Sequence, residues 1–286
     1  MSATPRVPWI DIPQKVWSDV VDWMRADSMR YLNVFVAGGS QRGAARSRVA
    51  KGLRLLNGNS RARYHEIYVY YPEDYFTTLA QRLKGNLLEL ERVMAEHVDL
   101  VILCPESPGS FSELGAFANV KTIREKTYII QSEAYAKKPS FINLGPIRTI
   151  ERHGRSRVLR IDTASPMAVN RACQQIVRDH SKRSAYVGMF EAQRALVVAL
   201  YMLEAVEDAA LKSFFRSEVG RHGDAIFEAV TDNLFQKRML ARREDRFALS
   251  PEGVLEAQRL LSAVAAPVRL IDSTRLLALK WVLRAG

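Results

Sequence analysis

The sequence has very few cysteines: only Cys104 and Cys173 among 286 residues. Two thiols cannot build a disulfide framework or a cysteine-rich metal site. Cys104 also lies inside an apolar run, where a buried thiol is the ordinary interpretation. The five histidines do not stand in pairs at metal-ligand spacing. We therefore expect neither a disulfide-stabilised protein nor a metal-dependent enzyme.

Long hydrophobic segments are also missing. No apolar run approaches the roughly 20 residues that a membrane span needs. The N-terminal sequence MSATPRVPWIDIP has no apolar core of a signal peptide. We expect a cytoplasmic protein that makes no membrane contact, with enough residues for one large domain or two smaller ones.

Acidic residues are absent from Gly38 to Tyr64, a range that holds seven Lys or Arg. A second basic stretch runs from Arg152 to Arg183, and the net charge of the chain is +11. Clustered positive charge favours nucleic acid or another acidic partner. A solvated basic surface without a partner is the alternative.

The first half of the chain alternates apolar strands with helical patterns, after an amphipathic segment at Ile12–Asp27. The predicted strands are Tyr31–Gly39, Glu66–Asp74, Asp99–Cys104, Lys126–Gln131 and Ser156–Asp162. The predicted helices between them are Gln41–Leu56, Phe76–His97 and the segment after PESPGS. This alternation predicts an α/β, Rossmann-like fold in which helices cover both faces of a parallel sheet.

The second half is helical except for one predicted hairpin. The predicted helices are Pro166–His180, Phe190–Val206, Leu211–Arg216 and Asp224–Gln236. The segment NLFQKRMLARREDRFALS then describes a helix end and a small β-hairpin, and Ser250-Pro251 starts another helix. This order predicts a winged helix. The predicted domains are an α/β domain at 1–164, a helical connector at 165–183 and a winged-helix domain at 184–286.

Three loops should meet at the carboxyl ends of the strands, where open α/β sheets bind ligands. They are AGGSQRG, YPED and PESPGSFSE. Gly38 and Gly39 let the backbone approach a ligand, and Arg42 stands close by, although GGSQRG does not match the dinucleotide fingerprint GxGxxG. The alternative is a bare tight turn. At the start of the third helix, Gly109 and Ser110 place N–H groups that could bind a phosphate or a ribose hydroxyl.

Glu113 has two interpretations. The segment Ser110-Phe-Ser-Glu113 matches S-x-x-E, a capping box in which Glu113 only satisfies the backbone of Ser110. A carboxylate at this place can also attack an anomeric carbon or stabilise an oxocarbenium-like transition state. The local pattern does not decide between them.

The segments YPEDYF, LLELERVMAEHVDLVILCPESPGSFSELGAFAN and KPSFINLGPIR resemble the nucleoside deoxyribosyltransferase-like effector proteins of bacterial retrons. The order and spacing of these segments agree, and a C-terminal winged helix belongs to that architecture. The resemblance implies that Glu113, in Glu-Leu-Gly, is the nucleophile that cleaves an N-glycosidic bond. Glu91 matches the upstream acid that holds the sugar or base, where aspartate is usual. Ser107 stands where the transferases carry another aspartate, which puts base exchange in doubt.

The resemblance also implies a toxin of anti-phage defence that hydrolyses NAD to nicotinamide and ADP-ribose, with NAD as substrate and no cofactor. A reverse transcriptase and its multicopy single-stranded DNA (msDNA) would hold it inactive, in a homo- or hetero-oligomer. Tyr71 and Asp74 are further pocket candidates, with packing and helix capping as their alternatives. Asn143 could complete a pocket across a subunit interface, as in related transferases.

The predicted wing would contact nucleic acid or a partner through three arginines, namely Arg242, Arg243 and Arg246. The helix before it is acidic, which argues against reading a major groove. A noncatalytic alternative remains open: a nucleotide-sensing or DNA-binding regulator in which Glu113 only caps its helix. The other open alternative is a deoxyribosyltransferase or hydrolase that acts on nucleosides or nucleotides.

Overall fold

The computed structural model describes residues 11–41, 43–58, 64, 66–75, 87–180, 187–220, 222–243, 246–263 and 276. The chain forms two compact units, Met29–Ser184 and a second one that combines Met1–Ser28 with Ala185–Gly286. These limits differ from the predicted domains in two places. The N-terminal helix groups with the C-terminal segment, and the predicted connector at 165–183 lies within the α/β unit.

The first unit contains a five-stranded sheet with the order β2-β1-β3-β4-β5, and every neighbouring pair is parallel. The strands are β1 Tyr31–Gly38, β2 Glu66–Tyr70, β3 Leu100–Cys104, β4 Thr127–Ser132 and β5 Val158–Ile161. All five residues of β3 are buried, as expected for a parallel strand whose two faces are covered by helices. The predicted parallel α/β sheet is confirmed.

Helices cover both faces of this sheet. The longer ones are α2 Ala45–Arg54, α3 Leu87–Glu96, α4 Pro108–Asn119 and α8 Pro166–Asp179. One face of β1, with Leu32 and Val34, packs in a core cluster with residues of α2 and α8. The next residue, Phe35, points to the other face because side chains alternate along a strand. There it meets Phe117 of α4 edge-to-face, with 6.1 Å between ring centroids.

Several short elements between β2 and β5 were not predicted from the sequence. They are a 3₁₀ turn Pro72–Asp74, α5 Lys121–Arg124, α6 Glu133–Ala136, a π-helical turn Asn143–Ile147, α7 Arg148–Glu151 and a 3₁₀ turn Arg155–Arg157. The predicted helix Phe76–His97 is present at Leu87–Glu96, and its part at 76–86 lies outside the described residues.

The strand order places a topological switch point between β1 and β3. The chain leaves β1 toward β2 on one side, and it leaves β3 toward β4 on the other, which opens a crevice at the carboxyl ends. Gly38 and Cys104 are paired at these ends. A Cβ atom on Gly38, whose φ is +152°, would lie 2.9 Å from the Cys104 carbonyl oxygen. The crevice therefore requires glycine at this position.

The second unit is mainly helical. Its elements are α1 Asp11–Asp27, α9 Met189–Leu203, β6 Ala205–Glu207, α10 Asp208–Val219, α11 Gly223–Gln236, β7 Leu240–Arg243, β8 Arg246–Leu249 and α12 Pro251–Ala263. The predicted order of helices and hairpin agrees with this, and β6, which pairs antiparallel with β8, was missed. Trp17 of α1 stacks on Phe214 of α10 at 5.1 Å. Among the described residues, no helix combines the length and apolarity needed to cross a bilayer.

Candidate active site

Helix α4 is capped by Ser107 rather than by the predicted box of Ser110 and Glu113. The Ser107 hydroxyl accepts a hydrogen bond from the Ser110 N–H at 3.3 Å, and the Ser110 hydroxyl accepts one from the Ser107 N–H at 2.9 Å. These reciprocal bonds form a capping box three residues earlier than predicted, with Pro108 at the first helical position. The capping interpretation of Glu113 is therefore wrong, because the Ser110 N–H donates to Ser107 instead.

Glu113 instead faces Glu91, which the sequence predicted as its companion. Glu91 lies on α3, which contacts α4, and only 7% of Glu91 is exposed. The two carboxyl groups lie within hydrogen-bonding reach of each other. The Oε2 atom of Glu113 is buried and has no hydrogen-bond partner within the described ranges. The predicted pair of carboxylates is thus brought together by two neighbouring helices.

Burial and mutual repulsion give the two carboxyl groups different proton affinities. Burial raises the pKa of Glu91 to about 8, and the charge of Glu113, the hydrogen bond to it and the charge of Glu73 add to this rise. Burial also raises the pKa of Glu113, but the hydrogen bond from Glu91 and the Arg46 guanidinium oppose that rise. Glu91 therefore has the higher pKa of the two groups and keeps its proton to the higher pH.

Arg46 and Glu73 lie close to the carboxylate pair. Neither residue was predicted from the sequence as part of the site. The Nη1 atom of Arg46 lies 2.7 Å from Oε1 of Glu73, and the Arg46 side chain is only 11% exposed. Arg46 sits in the first turn of α2, directly after the loop that follows β1. Its only signal in the sequence was this position at the carboxyl end of a central strand.

The loop after β1 does not leave the α2 N-terminus open to an anion. The backbone N–H of Ala45 already donates to Oε2 of Glu106 at 2.9 Å. A ligand phosphate at this helix start would meet that carboxylate, so the predicted phosphate role of Gly38 and Gly39 is disfavoured there. Arg42, the predicted cation beside them, lies outside the described residues.

The other pocket candidates in the first unit have structural partners. Tyr71 lies under two guanidinium groups, with Arg46 at 5.0 Å and Arg54 at 5.9 Å from its ring centroid. It also packs on the core, as its packing alternative predicted. Asp74 is exposed at the end of the 3₁₀ turn after β2. Gly109 is exposed in the first turn of α4, whereas Ser110 is buried by its capping bonds.

Asn143 belongs to a separate cavity of about 570 Å³, and neither Glu91 nor Glu113 is among the residues that line it. The Asn143 amide donates to the carbonyl oxygens of Tyr135 at 2.8 Å and Lys138 at 2.7 Å. The turn Asn143–Ile147 contacts α4, the helix that carries Glu113. Its predicted role across a subunit interface stays a prediction.

The hairpin arginines lie in the second unit. Arg242 and Arg246 are exposed, and the side chain of Arg243 lies outside the described residues. The Arg242 guanidinium lies 5.3 Å from the ring centroid of Phe247, and Arg246 approaches Glu207 at 3.7 Å. Both described guanidinium groups can therefore reach an anionic partner.

The acidic helix that precedes the hairpin, α11, is paired with basic residues of α10. Asp224 accepts two hydrogen bonds from Arg216, at 2.6 and 2.8 Å, and these bonds lower the pKa of the Asp224 carboxyl. Lys212 lies 3.5 Å from Glu228. The negative charge that argued against groove reading is thus partly neutralised within the unit.

Comparisons with known proteins found a matching family and related proteins. The family model described as STM3845 retron effector protein matches residues 45–233. A retron Ec86 protein of Escherichia coli, named as a proposed ribosyltransferase/DNA-binding protein, is 33% identical over 215 residues, which cover 67% of this chain and 69% of that protein. A retron Ec73 protein of the same species, with the same description, is 34% identical over 120 residues, or 41% and 37% of the two chains. The family match includes both carboxylates and ends before the hairpin.

Proposed function

The chain belongs to the STM3845 family of retron effector proteins, and from this premise we propose that it is an N-glycosidase that hydrolyses NAD. The membership confirms the resemblance found in PESPGSFSELGAFAN. The nucleoside deoxyribosyltransferase-like type of the first unit, the winged helix of the second and the reaction itself are parts of the proposal. The names of the two relatives, which describe proposed ribosyltransferases, support transfer or hydrolysis at a ribosyl carbon.

The observation that carries the proposal is the pairing of Glu113 with Glu91, whose carboxyl groups lie within hydrogen-bonding reach of each other, with Glu91 holding its proton more tightly. An ionised Glu113 with a free buried oxygen is suited to attack the anomeric carbon of a ribosyl group, or to stabilise the cation that forms there. The protonated Glu91 can donate a hydrogen bond to a sugar hydroxyl, which is the sugar-binding role predicted for it. Carboxyl groups whose environments separate their pKa values are typical of paired acid and base roles.

A balanced reaction follows from this arrangement. Glu113 attacks C1′ of the nicotinamide ribose, and the C–N bond breaks as nicotinamide leaves with the electron pair. The resulting ester removes the charge of Glu113, which lowers the pKa of Glu91, and Glu91 releases its proton to solvent. Water then attacks C1′, Glu91 accepts one proton of that water, and Glu113 leaves as carboxylate. The net products are nicotinamide, ADP-ribose and one proton.

The substitution at Ser107 supports NAD over deoxynucleosides. The resemblance places an aspartate here in the transferases, and Ser107 instead uses its hydroxyl to cap α4. A neutral nucleobase is a poor leaving group unless it is protonated. An acid near the base therefore helps base exchange. The pyridinium of NAD leaves as neutral nicotinamide without any proton. Serine at this position is therefore compatible with NAD hydrolysis.

We further propose that this activity makes the chain the toxic effector of an anti-phage retron, and that the reverse transcriptase and its msDNA hold it inactive. Membership of a retron effector family supports this partnership. The positive charge of the chain, +11, suits a complex that contains nucleic acid.

The decisive test incubates the purified chain, alone and with the reverse transcriptase–msDNA complex, with NAD and with a panel of deoxynucleosides, and measures free base by chromatography. We expect nicotinamide release by the free chain and its suppression in the complex. Glu113→Gln should lower the rate at least about 100-fold because an amide is not a nucleophile. Glu89→Gln, an exposed carboxyl on the same helix as Glu91, is the matched control and should retain activity. Release of nicotinamide by Glu113→Gln at the wild-type rate would refute the proposed role.

A second candidate is a nucleic-acid-binding regulator without catalysis. The observation that favours it is the hairpin β7–β8 with its exposed Arg242 and Arg246, arranged after two helices as in a winged helix. The relatives' names also include DNA binding. If no substrate loses its base under either condition while nucleic acid still binds, this candidate replaces the enzyme.

A further inference from the structure

The cavity of about 570 Å³ beside α4 has no role in the reaction proposed above. It opens where the chain leaves β1, β3, β4 and β5, and its lining includes Gly43, Glu106, Gln131 and Thr163. Phe111 of α4 forms another part of the wall. Two residues along a helix separate Phe111 from Glu113, and such positions do not face the same side. The volume lies in the range of small-molecule sites.

The cavity contains a buried hydrogen-bond acceptor whose orientation is fixed by its neighbours. The Nδ2 atom of Asn143 donates to two backbone carbonyl oxygens, so the Oδ1 atom of Asn143 must be an acceptor. The Nε2 atom of Gln131 donates to that oxygen at 2.7 Å. This leaves Oε1 of Gln131 buried and without a hydrogen-bond partner in the part of the chain that the structure describes, although only 4% of Gln131 is exposed.

An orphaned buried acceptor is costly unless a ligand or water supplies a donor. Gln131 shares the cavity with Phe111, an aromatic side chain that is 38% exposed, and with Ile142. A planar ring that carries an N–H donor satisfies both features, because the ring can stack on Phe111 while its N–H group reaches the amide oxygen.

We propose that this cavity binds an aminopurine nucleoside or nucleotide, with Oε1 of Gln131 accepting a hydrogen bond from the amino group of the base and Phe111 packing on the ring. Neither Glu91 nor Glu113 lines this cavity, so the proposal does not depend on the reaction at that pair.

The test compares adenosine with purine riboside, which lacks the amino group, by isothermal titration calorimetry. The full-length Glu113→Gln chain is used so that neither ligand can be consumed. A site built around a buried acceptor should reject the ligand that lacks the donor. We expect adenosine to bind about tenfold more tightly than purine riboside. Gln131→Met, which keeps the length of the side chain, should bring the ratio of the two affinities close to one.

Phe111→Ala should weaken both ligands, by about five- to tenfold, because stacking does not depend on the amino group. Phe141→Ala is its matched control, since Phe141 is 83% exposed and is not among the lining residues. Equal affinities for adenosine and purine riboside in the chain that retains Gln131 would overturn the proposal. The absence of binding of either ligand at millimolar concentration would also overturn it. The ratio measured with Gln131 intact remains decisive even if Gln131→Met does not fold. Neither result bears on NAD hydrolysis, which is measured separately with Glu113 intact.

Discussion

The chemistry of single residues here depends on which of two carboxyl groups carries a proton. Glu91 and Glu113 have the same side chain and burial raises the pKa of both, but the charge of Glu113 adds to the rise for Glu91, while the hydrogen bond from Glu91 and the Arg46 guanidinium favour the charged form of Glu113. Two carboxylates this close cannot both ionise at low cost. In the folded chain Glu91 therefore holds its proton more tightly than Glu113 does, which suits the donor and nucleophile roles proposed for them.

The raised pKa of Glu91 predicts how the stability of the chain depends on pH. In the folded chain Glu91 keeps its proton up to about pH 8, whereas the unfolded chain loses it near 4.5. The contribution of this group to stability is complete below pH 4.5 and is lost as the pH rises to about 8. Glu91→Gln removes this titration, so the variant should match the wild type at pH 4 and melt a few degrees higher at pH 9.

Thermal melts of the two proteins across this pH range measure the difference. Glu89→Gln serves as the control because Glu89 lies on the same helix with an exposed side chain. Its melting temperature should follow that of the wild type at every pH. A Glu91→Gln stabilisation that is the same at pH 4 and pH 9, or larger at pH 4, would contradict the burial of an ionisable pair.

At the scale of secondary-structure elements, the cap of α4 positions the catalytic candidate. Ser107→Ala removes the acceptor for the Ser110 N–H and should cost about 1 kcal/mol of the free energy of unfolding. Ser112→Ala is the matched control because the Ser112 hydroxyl is exposed and only donates to the Pro108 carbonyl within the same helix, so its effect should stay within about 0.5 kcal/mol. Urea denaturation measures both changes. If the two substitutions lowered the free energy of unfolding equally, Ser107 would not be the cap of α4.

The same helix shows what the sequence could and could not predict. Strands such as Leu100–Cys104 were predictable because a fully buried parallel strand is a continuous apolar run. The cap was not, since SPGSFSE contains two overlapping starts, at Ser107 and Ser110, and local pattern alone does not choose between them. The contact of Arg46 with Glu73 joins residues 27 positions apart in the sequence. Only the strand order brings these residues to the same edge of the sheet.

At the scale of the whole molecule, sequence order and spatial grouping diverge. Apart from β6, the element types of the second half were predictable from turn residues and helical spacing. The grouping of α1 with the C-terminal unit was not, because the apolar face of α1 does not specify its partner. The stacking of Trp17 on Phe214 joins positions nearly 200 residues apart. Boundaries drawn from changes in composition therefore placed this helix in the α/β domain.

The charge of the whole molecule predicts that nucleic-acid binding weakens steeply with salt. Cationic side chains that contact phosphates release counterions, so the logarithm of the binding constant falls linearly with the logarithm of salt concentration. Arg242 and Arg246 are exposed in the hairpin. Replacing both with glutamine should reduce the slope of this plot by about 1 to 2. Fluorescence anisotropy of a labelled DNA stem with a single-stranded tail, at 50 to 300 mM NaCl, measures it.

Lys121 and Lys137 provide the matched control, since both are exposed in the α/β unit and lie outside the two basic stretches. Their double replacement by glutamine removes the same net charge and leaves the hairpin intact. If the hairpin contacts phosphates directly, the variant lacking Arg242 and Arg246 should show a shallower salt dependence of binding. The control variant should keep the slope of the wild type. If both variants lose slope equally, binding follows the net charge of +11 rather than a defined surface, and the winged-helix proposal for the second unit fails.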